Sequence, residues 1–133
     1  MTCDRLFVYG TLRALVPNSK SNLFSEGATF LKSGRTLGKL FHISWHPAMI
    51  PGDAGEWVTG EVWKLHDTDA TLKVLDEFEG PDYERMMVVV DMGDGAQLEA
   101  WAYLYKASVD GKARIESGDW ADVAGTIATE PRP

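Results

Sequence analysis

Two β-prone runs, Tyr83 to Met92 and Gln97 to Lys106, meet at Gly93-Asp94-Gly95. Their spacing and glycine-rich turn make them the strongest hairpin signal in the chain. Antiparallel sheet is thereby expected, and the remaining segments extend it. Leu6-Phe7-Val8-Tyr9 reads as a short buried strand that stops at Gly10. From Ala28 to Ser44, apolar residues return in strand-like patches, and Gly34 and Gly38 predict bends or bulges there. Trp45 to Gly55, with Pro47, Pro51, Gly52 and Gly55, reads as a surface loop, and Glu56 to Leu65 as another strand. A short helical turn is expected around Asn22-Leu23-Phe24. After Ala107 the chain turns polar, and Glu130 to Pro133 reads as a frayed tail.

One segment is convincingly helical. Asp67-Thr68-Asp69 is an N-cap cluster with acidic groups where the helix dipole favours them. Leu72, Leu75, Phe78 and Glu79 then follow at spacings of three and four, on one expected side, before Gly80-Pro81 stops the helix. Several strands around one helix, with no βαβ alternation, predict an α+β domain with a strongly curved sheet.

Composition bounds what such a domain does. At 133 residues the chain is expected to form a single domain, 1–133, large enough for its own core. Thirteen basic residues against twenty acidic ones give −7, which argues against the basic stripe that nucleic-acid binding needs. No run approaches the roughly 20 apolar residues that span a bilayer, so no membrane partner is expected. The first residues, Met1 to Leu6, lack the apolar stretch of a signal peptide, and a cytoplasmic location is expected. The single cysteine, Cys3, forms no intramolecular disulfide and reads as a near-terminal thiol rather than a nucleophile.

Glu79 is the residue that helix propensity does not explain. It falls in the last turn, where the negative end of the dipole disfavours a carboxylate, four residues after an inward-facing leucine. Burial there raises its pKa and suits a group that takes and returns a proton; a solvated helix-end glutamate is the plain alternative. Tyr9-Gly10-Thr11-Leu12-Arg13 follows the first strand, and a glycine there lets backbone N–H groups turn together toward an anion or carbonyl oxygen. On this stretch alone, an ordinary strand-ending turn is the simpler reading. His42 and His46 are four apart, but they lie at a strand end entering a proline loop rather than on one helix face, so no metal site is expected. Arg13 and Arg85 read as ion-pair partners of nearby acids, Asp76 and Glu77 as more solvent-facing than Glu79, and Trp101 and Trp120 as closing one end of the sheet.

These segments resemble a known family. Phe7-Val8-Tyr9-Gly10-Thr11-Leu12-Arg13 is similar to the Tyr-Gly-Thr-Leu signature of the γ-glutamylcyclotransferase-like (AIG2-like) proteins. Pro47-Ala48-Met49-Ile50-Pro51-Gly52 leading into Gly60-Glu61-Val62-Trp63 resembles the family's Pro-Ala loop and following strand. Leu75-Asp76-Glu77-Phe78-Glu79-Gly80, with Tyr83 and Arg85 close behind, resembles its Leu-Asp-x-x-Glu-Gly segment, and Ala100 to Tyr105 its final aromatic strand. The likeness runs from about Leu6 to Trp120. Where the family often has Gly-Tyr before Pro-Ala, this chain has Trp45-His46, a departure at the expected pocket rim.

The resemblance implies a compact mixed β-barrel with a few short helices and a pocket beside the Tyr-Gly-Thr-Leu loop. It implies an enzyme that releases an amine or amino acid from a γ-glutamyl compound while the glutamyl part closes to 5-oxoproline. Glu79 matches the catalytic carboxylate; Tyr9, Gly10, Thr11 and Leu12 match the substrate-binding loop, and Tyr83 and Tyr103 match pocket tyrosines. The expected partner is a small γ-glutamyl substrate, with no metal or organic cofactor, acting on a monomer or weak homodimer. The alternative of another class is a non-catalytic module that binds a small carboxylate metabolite; a third is a protein-interaction domain with a vestigial pocket.

Overall fold

A computed structural model of the protein describes residues 3–10, 28–43, 47–93 and 95–120. The hairpin is its longest ladder. Strands β6 (Tyr83–Gly93) and β7 (Ala96–Tyr105) pair antiparallel from Tyr83↔Tyr105 to Asp91↔Gln97. Gly93 and Gly95 flank the turn with φ of 85° and 78°, a region where only glycine escapes a Cβ penalty. The Gly93 N–H donates to the Asp91 carboxylate at 2.9 Å, which fixes the register shift there.

Strand β1 (Arg5–Val8) completes a closed barrel of order β1-β5-β2-β6-β7, with β2 over Ala28–Leu37 and β5 over Trp57–Leu65. β1 pairs antiparallel with β5 and parallel with β7, where Leu6 faces Trp101, so the sheet is mixed as well as curved. β2 runs unbroken through Gly34, and its bulge falls between Phe30 and Lys32 rather than at that glycine. The bare Cα of Gly34 instead admits Val90, whose Cγ1 would lie 2.8 Å from an added Cβ. Gly38 does mark a break, separating β2 from β3 (Lys39–His42).

The expected surface loop at Trp45–Gly55 is partly a strand. β4 (Pro47–Ile50) pairs with β3, and Pro47, Ala48 and Met49 are buried. Proline is tolerated because it is the first residue of an edge strand, where no ladder N–H is missed. The small sheet has the order β4-β3-β8, with β8 at Ala113–Arg114. The polar C-terminal stretch thus returns to the body: the Ile115 N–H donates to Leu40 at 2.7 Å and Thr59 N–H to Gly118 at 2.8 Å. Trp45, His46, the Asn22–Phe24 turn and the tail from Glu130 lie outside the described residues.

Alternate residues of a strand face opposite sides, and the core divides accordingly. Phe7 and Tyr9 join Val62, Ala102 and Trp120 in one cluster, while Leu6 and Val8 join Trp63, Leu72, Leu75 and Tyr103 in another. Helix α1 (Thr68–Glu79) packs on that second side through Leu72 and Leu75. Phe78 is 40% exposed, so the packed side of the helix is narrower than the apolar spacing predicted. Trp101 packs against the second cluster and Trp120 within the first, so the pair does not close one end together. Among the described residues no helix is long and apolar enough to cross a membrane.

Trp120 is 2% exposed and anchors the C-terminal segment to the barrel. Trp120→Ala should cost about 3–5 kcal/mol in urea unfolding; a loss below about 1 kcal/mol would show that this segment is not part of the core.

Candidate functional site

Helix α1 sets the position of Glu79. The Asp67 carboxylate caps its first turn, accepting from the Ala70 N–H at 3.3 Å. At the other end Gly80 takes a φ of 81° and its N–H donates to the Asp76 carbonyl at 3.2 Å, which makes Glu79 the last helical residue. No basic residue shares that last turn. The Glu79 side chain is partly buried, and burial pushes its pKa up from 4.5 to about 7. Burial accounts for this shift.

Three tyrosines lie close enough to this carboxyl group to feel its charge. Tyr9 follows β1, Tyr83 opens β6 and Tyr103 lies on β7, and the charge of Glu79 helps raise the pKa of each hydroxyl, after burial. Their hydroxyls are ordered by the fold. Tyr9 donates to the Tyr103 carbonyl and accepts from the Met49 N–H at 3.4 Å. Tyr83 donates to the Pro47 carbonyl at 2.8 Å and stands edge-on to Tyr105 with ring centroids 5.2 Å apart. Tyr103 donates to the Asp76 carboxylate at 2.7 Å. Glu79, Tyr9, Tyr83 and Tyr103 are therefore brought together from four elements or their ends.

Gly10 lies against Pro47, whose carbonyl accepts the Tyr83 hydrogen bond. A Cβ there would lie 2.7 Å from Pro47 Cγ, so the residue is glycine because β4 approaches closely. Thr11, Leu12 and Arg13 lie outside the described residues.

Asp76 contributes more than its 44% exposed side chain predicts. Arg85 grips it bidentately, Nε to Oδ1 at 2.9 Å and Nη2 to Oδ2 at 3.2 Å, which holds the carboxyl below its usual range, with Tyr103 adding to the effect. The Arg85 guanidinium lies 4.5 Å over the Trp101 ring, and the Trp101 indole N–H donates to the Cys3 carbonyl at 3.1 Å. Arg85 is thus an ion-pair partner, as its type and position predicted. The Pro47 carbonyl had no signal in the sequence, because a backbone acceptor belongs to no residue type. Glu61, named in the sequence only as part of Gly60-Glu61-Val62-Trp63, is fully buried and accepts from the Trp63 indole at 3.1 Å.

The described histidines serve separate contacts. His42 packs edge-on against Trp120, and His66 Nε2 lies 2.6 Å from the Thr29 hydroxyl. Among the described residues no three His, Cys, Asp or Glu side chains are grouped to hold a metal.

Residues 6–122 match the family described as gamma-glutamyl cyclotransferase, AIG2-like. The gamma-glutamylcyclotransferase family protein YtfP of Escherichia coli K12 is 33% identical over 127 residues, covering 89% of this chain and 96% of that protein. AIG2-like protein C of Arabidopsis thaliana is also 33% identical, over 79% of this chain and 60% of its own length. Among solved structures, an AIG2-like protein from Mus musculus superposes with a TM-score of 0.73 at 28% identity, covering 99% of this chain and 98% of that one.

Burial disfavours the ionised form of Glu79, so its contribution to stability is complete below about pH 4.5 and is lost as pH rises to about 7. Glu79→Gln has no such loss. In urea unfolding the variant should gain on the parent across this window by up to about 3 kcal/mol, and a pH-independent difference would contradict a buried Glu79 carboxyl.

Proposed function

The chain belongs to the gamma-glutamyl cyclotransferase, AIG2-like family, and we propose that it releases an amine or amino acid from a γ-glutamyl compound as the glutamyl moiety closes to 5-oxoproline. The observation that carries this reading is Glu79, a helix-end carboxyl raised to about 7 among three tyrosines. A group with that pKa accepts a proton and gives it back at neutral pH, which is what an intramolecular aminolysis needs.

In the proposed reaction the substrate's own α-amine, after losing a proton to Glu79, attacks the γ-carbonyl carbon. The new C–N bond forms the ring and the carbonyl electrons move to oxygen. Collapse of that tetrahedral centre breaks the bond to the leaving nitrogen, which takes the proton back from Glu79; the ring nitrogen then gives up its second proton, which Glu79 passes to the released amine, leaving it as an ammonium. No enzyme nucleophile is required. Backbone amides of Gly10, Thr11 and Leu12 are the proposed donors to the substrate carboxylate or the developing oxyanion. The rings of Tyr9, Tyr83 and Tyr103 are the proposed walls that hold the γ-glutamyl chain curled, so that amine and carbonyl stay within attack distance. The Tyr83–Pro47 hydrogen bond supports such a wall, since it ties the β6 end to β4 beside Gly10.

Incubation with a panel of γ-glutamyl amines and γ-glutamyl amino acids should yield 5-oxoproline from at least one. Glu79→Gln should lower kcat for that substrate by about 10²–10⁴-fold with the fold intact by circular dichroism. Absence of product across the panel, or undiminished turnover in the variant, would overturn the reading.

A further inference from the structure

We propose that Asp76, Arg85 and Tyr103 form a positioning unit for Glu79, and that the Tyr103 hydroxyl serves this unit instead of hydrogen-bonding the substrate. The inference rests on the reading of Glu79 as the proton carrier.

Asp76 holds the last turn of α1 at two points. Its carboxylate takes three hydrogen bonds from two strands: two from Arg85 on β6 and one from Tyr103 on β7. Its carbonyl accepts the Gly80 N–H that terminates the helix immediately after Glu79. Arg85 and Tyr103 are direct cross-strand partners, so the two donors arrive from one rigid ladder position. Beneath them, Trp101 supports the guanidinium and is itself fixed to the Cys3 carbonyl. Helix ends fray unless tethered, and Glu79 lies three residues from this tether, on the same side of the helix. An untethered last turn would let Glu79 wander by the ångström that a proton transfer does not tolerate.

The electrostatic surroundings fit the same arrangement. Tyr9 after β1, Tyr83 on β6 and Tyr103 on β7 all lie within range of the Glu79 charge, while their hydroxyls bond elsewhere. On the last turn of α1 the other acids are Glu77, which is exposed, and Asp76, which Arg85 pairs. An exposed ion pair by itself contributes little. This one is bidentate, stacked and joined by a tyrosine hydroxyl, and it sits where the helix must end.

Tyr103→Phe removes one hydroxyl and keeps the ring, so it is the decisive variant. Two measurements on the full chain read it: carboxyl 13C NMR titration of Glu79, which needs no turnover, and kcat and KM for 5-oxoproline release. The expected result is a kcat lowered about 10- to 100-fold with KM unchanged. The Glu79 midpoint should fall from about 7 toward the ordinary carboxylate range as water reaches the loosened turn. In an Asp76→Ala background, Tyr103→Phe should add no further loss, because the hydroxyl acts through Asp76. A raised KM with the Glu79 midpoint unmoved would overturn the proposal by placing the hydroxyl on substrate. No change in either measurement would reduce the cluster to a surface ion pair. If the parent releases no 5-oxoproline, the reaction reading fails, and the Glu79 midpoint in Tyr103→Phe still decides the positioning claim.

Discussion

Closure of the barrel depends on a strand of four residues. β1 lies between β5, which it meets antiparallel, and β7, which it meets parallel at Leu6↔Trp101. Without it the sheet would have two open edges, each a row of unpaired backbone groups. Leu6, Phe7 and Val8 are all buried, because both sides of β1 are covered: Phe7 packs into one cluster, and Leu6 and Val8 into the cluster that α1 overlies. The same placement delivers Tyr9 to the β7 carbonyl of Tyr103 and Gly10 to the start of β4. Structural closure and the assembly of the candidate site are one event.

Two carboxylates three residues apart on α1 are driven in opposite directions by what surrounds them. Asp76, the more accessible of the two, is held low by a guanidinium fork; Glu79, partly buried, is raised by burial. One stays ionised while the other sits near neutrality. In the proposed mechanism the first holds and the second reacts.

The fold was legible where local rules decide it. The hairpin followed from Gly93-Asp94-Gly95, and the helix limits from Asp67 and from Gly80-Pro81, because turn and cap chemistry act over a few residues. β4 was missed because two prolines and two glycines outweigh Ala48-Met49-Ile50 in any local reading; pairing with β3 decides the matter, and it is a tertiary fact. Gly34 was misread for a related reason, since what it accommodates is Val90 on another strand. In the candidate site, Glu79 stood out because it contradicts helix-end electrostatics. Asp76 did not, because an acid on an exposed helix position contradicts nothing until its partners on β6 and β7 are seen.

The parallel β1–β7 seam also orders events in time. The β6–β7 hairpin joins neighbours in sequence, whereas the hydrogen bond from Tyr9 to Tyr103 spans 94 positions. Loop-closure entropy makes such distant pairings late and slow. A nascent chain emerging from a ribosome therefore exposes Leu6, Phe7 and Val8 long before their partner strand is made. The apolar segment that seals the finished barrel is, until then, the one most in need of shelter.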